Sequence, residues 1–324
     1  MGQSGRCDAE NAAEVETLIG RRVVVRHRVG EKLSDAVGEL GVEGADLIVQ
    51  TRRGPVRVRR SAVTAVRAVP PPVPRRASLS AIARLEELCA DAWPALVEEQ
   101  LGAWRLRAAG GYTGRANAAL AIGDPGMPTG AALDAVRAFA DRHGIRPRAQ
   151  VPMGSPWDRT VAAHGWVLDE GHAAGAVVSV QVADLGELAE LVPAPEPCAA
   201  AGPEDAWWHL VLGRRPPSAA QRHVLASPRA AGFLLLRDEA GVAVAAGRAV
   251  VVDDHVHLSV LTVDPTVRRR GHGTRLLAGA AAWGRERGAR WAVLQVAVHN
   301  TPALRLYART GWTEHHRYRY LVPD

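Results

Sequence analysis

The chain has 324 residues, of which 47% are hydrophobic, and it carries a formal net charge of +6 at pH 7. This length is enough for two or three domains that each bury a core, and the composition is that of a globular protein. No window approaches the roughly 18 apolar residues of a membrane span, and the N-terminus lacks the apolar core of a signal peptide. We therefore expect a cytoplasmic protein that makes no membrane contact.

The cysteine and lysine residues exclude several kinds of site. Cys7, Cys89 and Cys198 are scattered and odd in number, so they indicate neither a disulfide framework nor a metal cluster. We expect no metal cofactor. Lys32 is the only lysine in the chain, which argues against a P-loop and against Schiff-base chemistry.

Residues 16–70 alternate short apolar runs with glycine turns. The runs at residues 23–25, 46–50, 56–58 and 63–69 have the length and β-branched content of short strands. Four or five such strands in about fifty residues predict a small β-barrel, which resembles the SH3-like barrels.

Most of the positive charge lies in this barrel, because residues 16–76 contain 13 basic and 6 acidic side chains. Arginines alternate with the apolar residues: Arg21, Arg22, Arg26, Arg28, Arg52, Arg53, Arg57, Arg59 and Arg60. Such a face can contact nucleic acid weakly, or it can be a solvated face that docks on the next domain. We favour the second interpretation, since no aromatic residue lies between the arginines to stack on bases.

Prolines mark the domain boundaries. Residues 70–74 contain four prolines and predict a stiff spacer, and residues 193–203 predict either a second linker or a long surface crossover. We therefore expect three units, at residues 16–70, 77–190 and 204–324.

The middle unit shows a βαβα pattern. The predicted elements are a strand at residues 118–122 that ends at Asp124-Pro125, a helix at residues 129–143, a strand at residues 148–151 and a helix that ends at Gly165. Before them, residues 110–117 read GGYTGRAN. This segment either lines an amine pocket or forms a turn whose polar groups satisfy the backbone, and the turn is favoured.

The last unit repeats this pattern with a longer loop. A strand at residues 258–263 ends at Asp264-Pro265, and residues 268–274 then read RRRGHGT. A helix with apolar residues at three- and four-residue spacing runs towards Gly288, a strand occupies residues 291–298, and a short helix from Asn300 ends at Gly311.

The RRRGHGT loop has the features of an anion site. Gly271 and Gly273 carry no Cβ, so a ligand can approach the backbone closely. The first amides of the following helix have no intrahelical partner, and the arginines supply forked donors for phosphate oxygens. The loop alone is equally compatible with a glycine turn and a solvated basic face. A dinucleotide fingerprint is excluded, because its third glycine would fall at Leu276.

The last unit resembles the GNAT family of acetyl-CoA-dependent N-acetyltransferases. The family's loop motif is matched by Arg268, Gly271 and Gly273. Its helix motif is matched by Asn300, Ala303, Leu306, Tyr307, Gly311 and Trp312, of which only Trp312 departs from the usual phenylalanine. The resemblance implies a mixed α+β GNAT fold and an N-acetyltransferase that moves acetyl from acetyl-CoA, a co-substrate, to an amine of a small molecule or a protein.

The resemblance also implies roles for individual residues. Tyr307 matches the tyrosine that gives a proton to the departing sulfur, and a backbone N–H near Leu261 to Val263 meets the carbonyl oxygen. The residues expected to contact the cofactor are Leu261, Val263, Arg268, Arg269, Arg270, Gly271, His272, Gly273, Thr274 and Asn300. Asn300 can alternatively be a helix N-cap.

The general base stays open. Some family members carry a glutamate eleven residues before the loop motif, where this chain has His257. A histidine suits proton transfer at neutral pH, although a lone strand histidine is more often structural. His255, Asp253 and Asp254 are the alternatives.

The middle unit is interpreted as a degenerate GNAT-like copy. Its loop before the helix is about four residues shorter and lacks arginine, and Val161 stands where the last unit has Tyr307. Chance recurrence of βαβ spacing is the alternative. Such a barrel before a degenerate and an intact copy is familiar from actinobacterial GNAT proteins. A rival interpretation of the whole chain is a non-enzymatic scaffold that binds nucleic acid or protein through the basic barrel.

Overall fold

A computed structural model of the chain describes residues 15–30, 32–51, 54–68, 77–191, 199–228 and 230–324. They belong to two compact units that divide between Arg75 and Arg76. The predictions for Cys7, Cys198, Arg52, Arg53 and the proline-rich stretches lie outside the described residues. No helix in the described part of the chain is long and apolar enough to cross a membrane.

The first unit is a five-stranded antiparallel sheet in the order β4-β3-β2-β1-β5. Its strands are β1 (Arg22–Val29), β2 (Lys32–Glu43), β3 (Asp46–Thr51), β4 (Gly54–Arg59) and β5 (Val63–Ala68). Alternate residues point into one core, in which Val23, Val25, Leu47 and Val49 are fully buried. This sheet is compatible with the predicted small barrel.

Strand β2 was missed by the sequence prediction because it is polar and contains two glycines. Only its alternate positions Ala36, Gly38 and Leu40 are buried. Gly38 is required there, since a Cβ would collide with the Gln50 carbonyl of β3.

Arg21, Arg26, Arg28, Arg57 and Arg59 are exposed, as the alternation predicted, but acidic neighbours neutralise part of the face. Arg26 donates two hydrogen bonds of 2.8 Å to Asp35, which hold the pKa of that carboxyl below its usual value. Arg57 donates a hydrogen bond of 2.6 Å to Glu43. Exposed pairs of this kind add little stability. Their main effect here is to reduce the field that an acidic partner would meet.

The second unit is built on one mixed sheet of twelve strands. The strand order is β12-β13-β14-β15-β16-β11-β17-β9-β8-β7-β6, and β10 pairs with β17. The strands are β6 (Val97–Leu101), β7 (Trp104–Ala108), β8 (Ala119–Leu120), β9 (Ala149–Pro152), β10 (Trp166–Leu168), β11 (Val177–Asp184), β12 (Ala199–Ala200), β13 (Ala231–Arg237), β14 (Ala243–Val252), β15 (His255–Val263), β16 (Trp291–Ala297) and β17 (Thr313–Pro323).

Eight helices pack on this sheet in the described residues. They are α1 (Leu79–Asp91), α2 (Thr129–Arg142), α3 (Pro156–Ala163), α4 (Leu185–Ala189), α5 (Asp205–Leu212), α6 (Ala219–Ala226), α7 (His272–Arg285) and α8 (Thr301–Arg309). Helix α7 is buried along one side by Leu276, Leu277 and Trp283, which explains the apolar periodicity of its sequence.

The order of elements occurs twice, as predicted. The series β7-β8-α2-β9-α3-β10 corresponds to β14-β15-α7-β16-α8-β17, and in each series the second and third strands are parallel. Asp124 and Asp264 each accept a hydrogen bond of 2.8 Å from the amide two residues later. Helix α2 begins five residues after Asp124, whereas α7 begins eight residues after Asp264. The first copy's loop is therefore shorter by three residues rather than about four.

Strands β11 and β17 join the sheets of the two copies. Strand β11 follows the first copy in sequence, yet it pairs with β16 and β17 of the second copy. Strand β17 ends the chain, and its C-terminal part pairs with β9 and β10 of the first copy. Leu185 and Leu188 of α4 likewise belong to the core around α7. The two copies therefore form one continuous body.

Candidate functional site

Strands β15 and β16 separate at their C-terminal ends. Their parallel pairing stops at Leu258 and Leu294, although β15 continues to Val263 and β16 to Ala297. Past that point the facing edges of the two strands do not pair with each other. Peptide groups on such edges are available to a ligand that has peptide-like donors and acceptors.

A bulge in β15 causes the separation. The register between β14 and β15 shifts between Ala246 and Arg248, and Val260 has a φ of +49°. A β-branched residue is strained in the left-handed region. Backbone strain of this kind clusters at functional sites, and here it turns β15 away from β16.

A cavity of about 620 Å³ fills the gap between the strands; we call it the strand cavity. It is lined by Arg115, Ala174, Leu258, Ser259, Val260, Leu261, Leu294, Gln295, Val296, Ala297, His299, Asn300, Pro302 and Tyr307. Three residues predicted from the sequence, Leu261, Asn300 and Tyr307, therefore line the same cavity.

The RRRGHGT loop connects β15 to α7. Arg268 Nε donates a hydrogen bond of 3.2 Å to the Val263 carbonyl, which closes the loop onto the end of the strand. Gly271 has a φ of +82° and precedes the first residue of α7 without any side-chain cap. The amides of His272, Gly273 and Thr274 thus begin a 14-residue helix with no intrahelical acceptor. Arg268, Arg269 and Arg270 are exposed beside them.

Gly273 has a packing role in addition. A Cβ at this position would lie 3.0 Å from Leu306 Cδ2, so the glycine lets the start of α7 approach α8 closely. That approach brings the helix amides and the Tyr307 helix to the same edge of the sheet.

Tyr307 lies on α8 with 7% of its surface exposed, and its ring packs 5.7 Å from the Trp312 ring. Burial raises the pKa of its hydroxyl to about 12. The hydroxyl has no hydrogen-bond partner among the described residues, so it is free for a ligand in the strand cavity.

Asn300 caps α8 by accepting a hydrogen bond of 3.3 Å from Ala303 N, and it also lines the cavity. Both roles considered for Asn300 are compatible with this position.

His257 is fully buried in β15. Burial, with the charges of Arg115 and Arg248, holds its pKa well below the usual value, and Gln295 opposes part of that shift. Gln295 lies close enough to the ring to interact with it, but neither ring nitrogen makes a hydrogen bond of good geometry among the described residues. His257 does not line the strand cavity, so a proton would reach it only through another group.

The alternative bases lie at the opposite end of β15 from the bulge. Asp253 and Asp254 lie within 4 Å of Arg84, at 3.8 and 3.9 Å, and His255 Nδ1 is 2.8 Å from Asp254 Oδ1. None of the three lines the strand cavity. From His255 to Val260 the strand covers roughly 17 Å.

A buried arginine supports the bulge. Arg248 is fully buried and donates to the carbonyls of Leu225 at 2.7 Å and Ala92 at 2.9 Å, and to Ser259 Oγ at 3.3 Å. No carboxylate pairs with it among the described residues. Burial and the charge of Arg115 lower the pKa of Arg248 to about 9, so it still carries its charge at neutral pH.

A second cavity, of about 360 Å³, lies where the two copies meet; we call it the junction cavity. It shares four lining residues with the strand cavity: Arg115, Ala174, Gln295 and Ala297. Its remaining lining residues are Gly111, Thr113, Gly114, Arg148, Gly171, His172, Ala173, Gly175, Val178, Tyr318 and Tyr320. The two cavities are therefore contiguous.

The GGYTGRAN segment forms the predicted turn, and part of it also lines a cavity. Asn117 is buried and satisfies the turn, since it accepts from Ala109 N and Gly111 N and donates to the Tyr112 and Thr113 carbonyls. Arg115, in contrast, points to the cavities and donates a hydrogen bond of 2.9 Å to Gln295 Oε1.

Sequence reasoning missed Gln295, Arg248 and the loop at residues 169–176. A lone arginine inside the apolar strand β14 was a signal for Arg248. The sequence contained no signal for Gln295, because this residue lies 180 residues from its partner Arg115.

The separated parallel strands, the bulge and the glycine loop before α7 define the class of fold. A GCN5-related N-acetyltransferase from Kribbella flavida superposes with a TM-score of 0.56, at 19% identity over 74% of this chain and 94% of that one. The chain thus has the GNAT fold, as predicted.

The comparisons also show the family. The family model described as "Probable histone acetyltransferase Rv0428c C-terminal" matches residues 79–321. The protein named "Probable histone acetyltransferase Rv0428c", from Mycobacterium tuberculosis, is 30% identical over 94% of this chain and 95% of its own length. A Bacillus subtilis protein named "Uncharacterized N-acetyltransferase YobR" is 26% identical over 72% of this chain and 97% of its own. The chain belongs to this family of GNAT acyltransferases, and it is an acetyltransferase.

Proposed function

We propose that the protein transfers the acetyl group of acetyl-CoA to a primary amine by direct attack of that amine. One observation carries the proposal: the gap between β15 and β16 opens beside the RRRGHGT loop, with Tyr307 in its wall. An acyl donor in this gap would have its thioester near Tyr307 and its phosphates at the start of α7.

The residues present fit such a donor. The pantetheine arm is extended and contains amides, so it suits the unpaired facing edges of β15 and β16 as an added strand does. Phosphate groups suit the free amides of His272, Gly273 and Thr274, the positive end of the helix dipole and the exposed arginines. Leu261 and Val263 would contribute the backbone that meets the arm and the carbonyl oxygen.

The reaction needs three groups from the chain. In the transfer, the amine nitrogen forms a bond to the acetyl carbon, the carbon–sulfur bond breaks, and one proton leaves the amine while the sulfur gains one. A backbone N–H between Leu261 and Val263 would stabilise the charge that develops on the carbonyl oxygen. The Tyr307 hydroxyl would donate to the departing sulfur.

The positive charge of the site reduces the need for a strong general base. No Asp or Glu is among the described residues that line the two cavities. The positive charges of Arg115 and Arg248 disfavour an ammonium nearby and so lower the pKa of a bound amine. His257, neutral because of burial, stays our candidate for the final proton acceptor, with a water molecule or another group between.

A matched pair of glycine substitutions tests the donor site. Gly271 and Gly126 occupy corresponding loops, with φ values of +82° and +75°. Val at either position is strained by roughly 1–2 kcal/mol, but only Gly271→Val distorts the loop at α7. We expect Gly271→Val to weaken acetyl-CoA binding at least tenfold in calorimetry, and Gly126→Val to leave it within about threefold. Undiminished affinity in Gly271→Val, or no acetyl-CoA binding by the native protein, would refute the proposal.

A further inference from the structure

Arg115 is an uncompensated charge at the wall that the two cavities share. It makes one hydrogen bond, to Gln295 Oε1, and its guanidinium lies 4.4 Å from the centre of the Trp93 ring. No carboxylate lies within ion-pair distance of it among the described residues. A guanidinium has five N–H donors in a planar fork, so most of the donors of Arg115 are available to a ligand.

The other arginine of the junction cavity is held by a carboxylate, which it shares with a second arginine. Arg148 donates two hydrogen bonds, of 2.9 and 2.7 Å, to Asp169 Oδ2. Asp169 is completely buried and also pairs with Arg146 at 2.9 Å. Arg148 therefore has a carboxylate partner, whereas Arg115 has none. Arg248, which also has no carboxylate partner, adds a second positive charge near Arg115.

The junction cavity thus attracts anions and repels cations. With no acidic side chain in the described walls, it offers nothing to a lysine-rich protein segment, whose flanking charges would be repelled. Its volume of about 360 Å³ suits a small molecule.

We infer that the acceptor is a small amine of the α-amino acid type, whose carboxylate binds the fork of Arg115 while its amine faces the strand cavity. The inference rests on the proposed acetyl transfer. One planar guanidinium matches the two oxygens of a carboxylate. Because Arg115 lines both cavities, the amine must lie close to the carboxylate, as it does in an α-amino acid.

The aromatic wall of the cavity decides which acceptors to test first. Tyr320 stacks on His172 with ring centres 4.7 Å apart, and Tyr318 lies beside it. An apolar or aromatic side chain would pack there. Phenylalanine and leucine are therefore the first acceptors, each compared with the amine that lacks the carboxylate, phenethylamine or 3-methylbutylamine.

The experiment measures kcat/KM for each amine by thiol release from acetyl-CoA, together with a lysine-rich histone-tail peptide. We expect each amino acid to exceed its decarboxylated counterpart by at least tenfold, as a forked charged pair predicts. Arg115→Gln should remove this preference, so that the two amines of each pair react at similar rates, although loss of its charge should slow both because their pKa values are then lowered less. Arg115→Lys, which keeps the charge but not the fork, should retain part of it.

Arg317→Gln is the control for charge, because Arg317 is an exposed arginine paired with Glu314 and lines neither cavity. It should keep the full preference. Equal rates within each amine pair, or a preference for the peptide, would overturn the inference. So would a native protein that binds acetyl-CoA and acetylates no amino acid. A native protein that does not bind acetyl-CoA would instead refute the proposed function itself.

Discussion

Replacing Tyr307 with phenylalanine removes one hydroxyl and little else. The ring keeps its contacts with Trp312, and the hydroxyl has no protein partner to lose among the described residues. We therefore expect the free energy of unfolding to change by less than about 1 kcal/mol. Any large loss of rate then reports on chemistry rather than on folding.

The size of the loss follows from the raised pKa. At about 12, the Tyr307 hydroxyl is a much weaker acid than a thiol of pKa ~8.5, so complete proton transfer to the sulfur is uphill by about 5 kcal/mol. The hydroxyl should instead stabilise the departing thiolate by a hydrogen bond, which is worth about 1.5–3 kcal/mol to a charged acceptor. Tyr307→Phe should accordingly lower kcat by roughly 10–150-fold.

Single-turnover and steady-state thiol release measure this loss, and calorimetry checks that acetyl-CoA affinity stays within a few fold. The raised pKa also predicts that deprotonation of Tyr307 does not reduce the rate below about pH 11. Val161, buried at the corresponding place on α3, supplies the control. Val161→Ala should cost roughly 1–3 kcal/mol of stability and leave the rate per folded molecule unchanged. A kcat that is unaffected by Tyr307→Phe but falls with Val161→Ala would mean that the chemistry takes place in the first copy rather than the second.

Two further predictions concern His257 and the barrel. Burial keeps His257 neutral in the folded protein, whereas the unfolded chain takes up a proton at this histidine near pH 6.5, so folding stability should fall on acidification below about pH 6.5. In urea titrations, His257→Gln should reduce the slope of stability against pH by up to about 1.4 kcal/mol per pH unit. An unchanged slope would contradict the buried neutral state. Residues 1–76 alone should fold and bind duplex DNA weakly, with an affinity that drops steeply as the salt concentration rises. Removal of these residues should leave acetyl-CoA binding intact. Tight DNA binding that resists salt would contradict the interpretation of the arginine-rich face as a solvated surface.

Local patterns predicted the elements around the RRRGHGT loop well. The apolar periodicity predicted α7, Asn300 and Pro302 predicted the start of α8, and the apolar run at residues 258–263 predicted the end of β15. These features depend on neighbours within a few residues, where backbone geometry and side-chain spacing act directly. Strand β2 escaped the same method because its polar sequence hides a buried face of only three small or apolar residues.

The pairing of distant parts could not be predicted in this way. No strand was predicted at β11 or β17, and nothing local says that each one completes the sheet of the other copy. The Arg115–Gln295 contact that joins the two cavities depends on that exchange. A charged residue in a glycine-rich turn was visible in the sequence, whereas the absence of a counter-ion beside it is a property of the assembled unit.

The exchange of β11 and β17 has a consequence for synthesis on the ribosome. Strand β9 ends at Pro152, and its partner β17 begins at Thr313, about 160 residues later. At roughly 5–20 residues per second, β9 waits about 8–30 s for that partner. During this time it presents an unpaired sheet edge of the kind that recruits other chains. A nascent chain that stalls before Thr313 leaves both copies incomplete, so a defect in the last eleven-residue strand should be felt first as poor yield of the entire second unit.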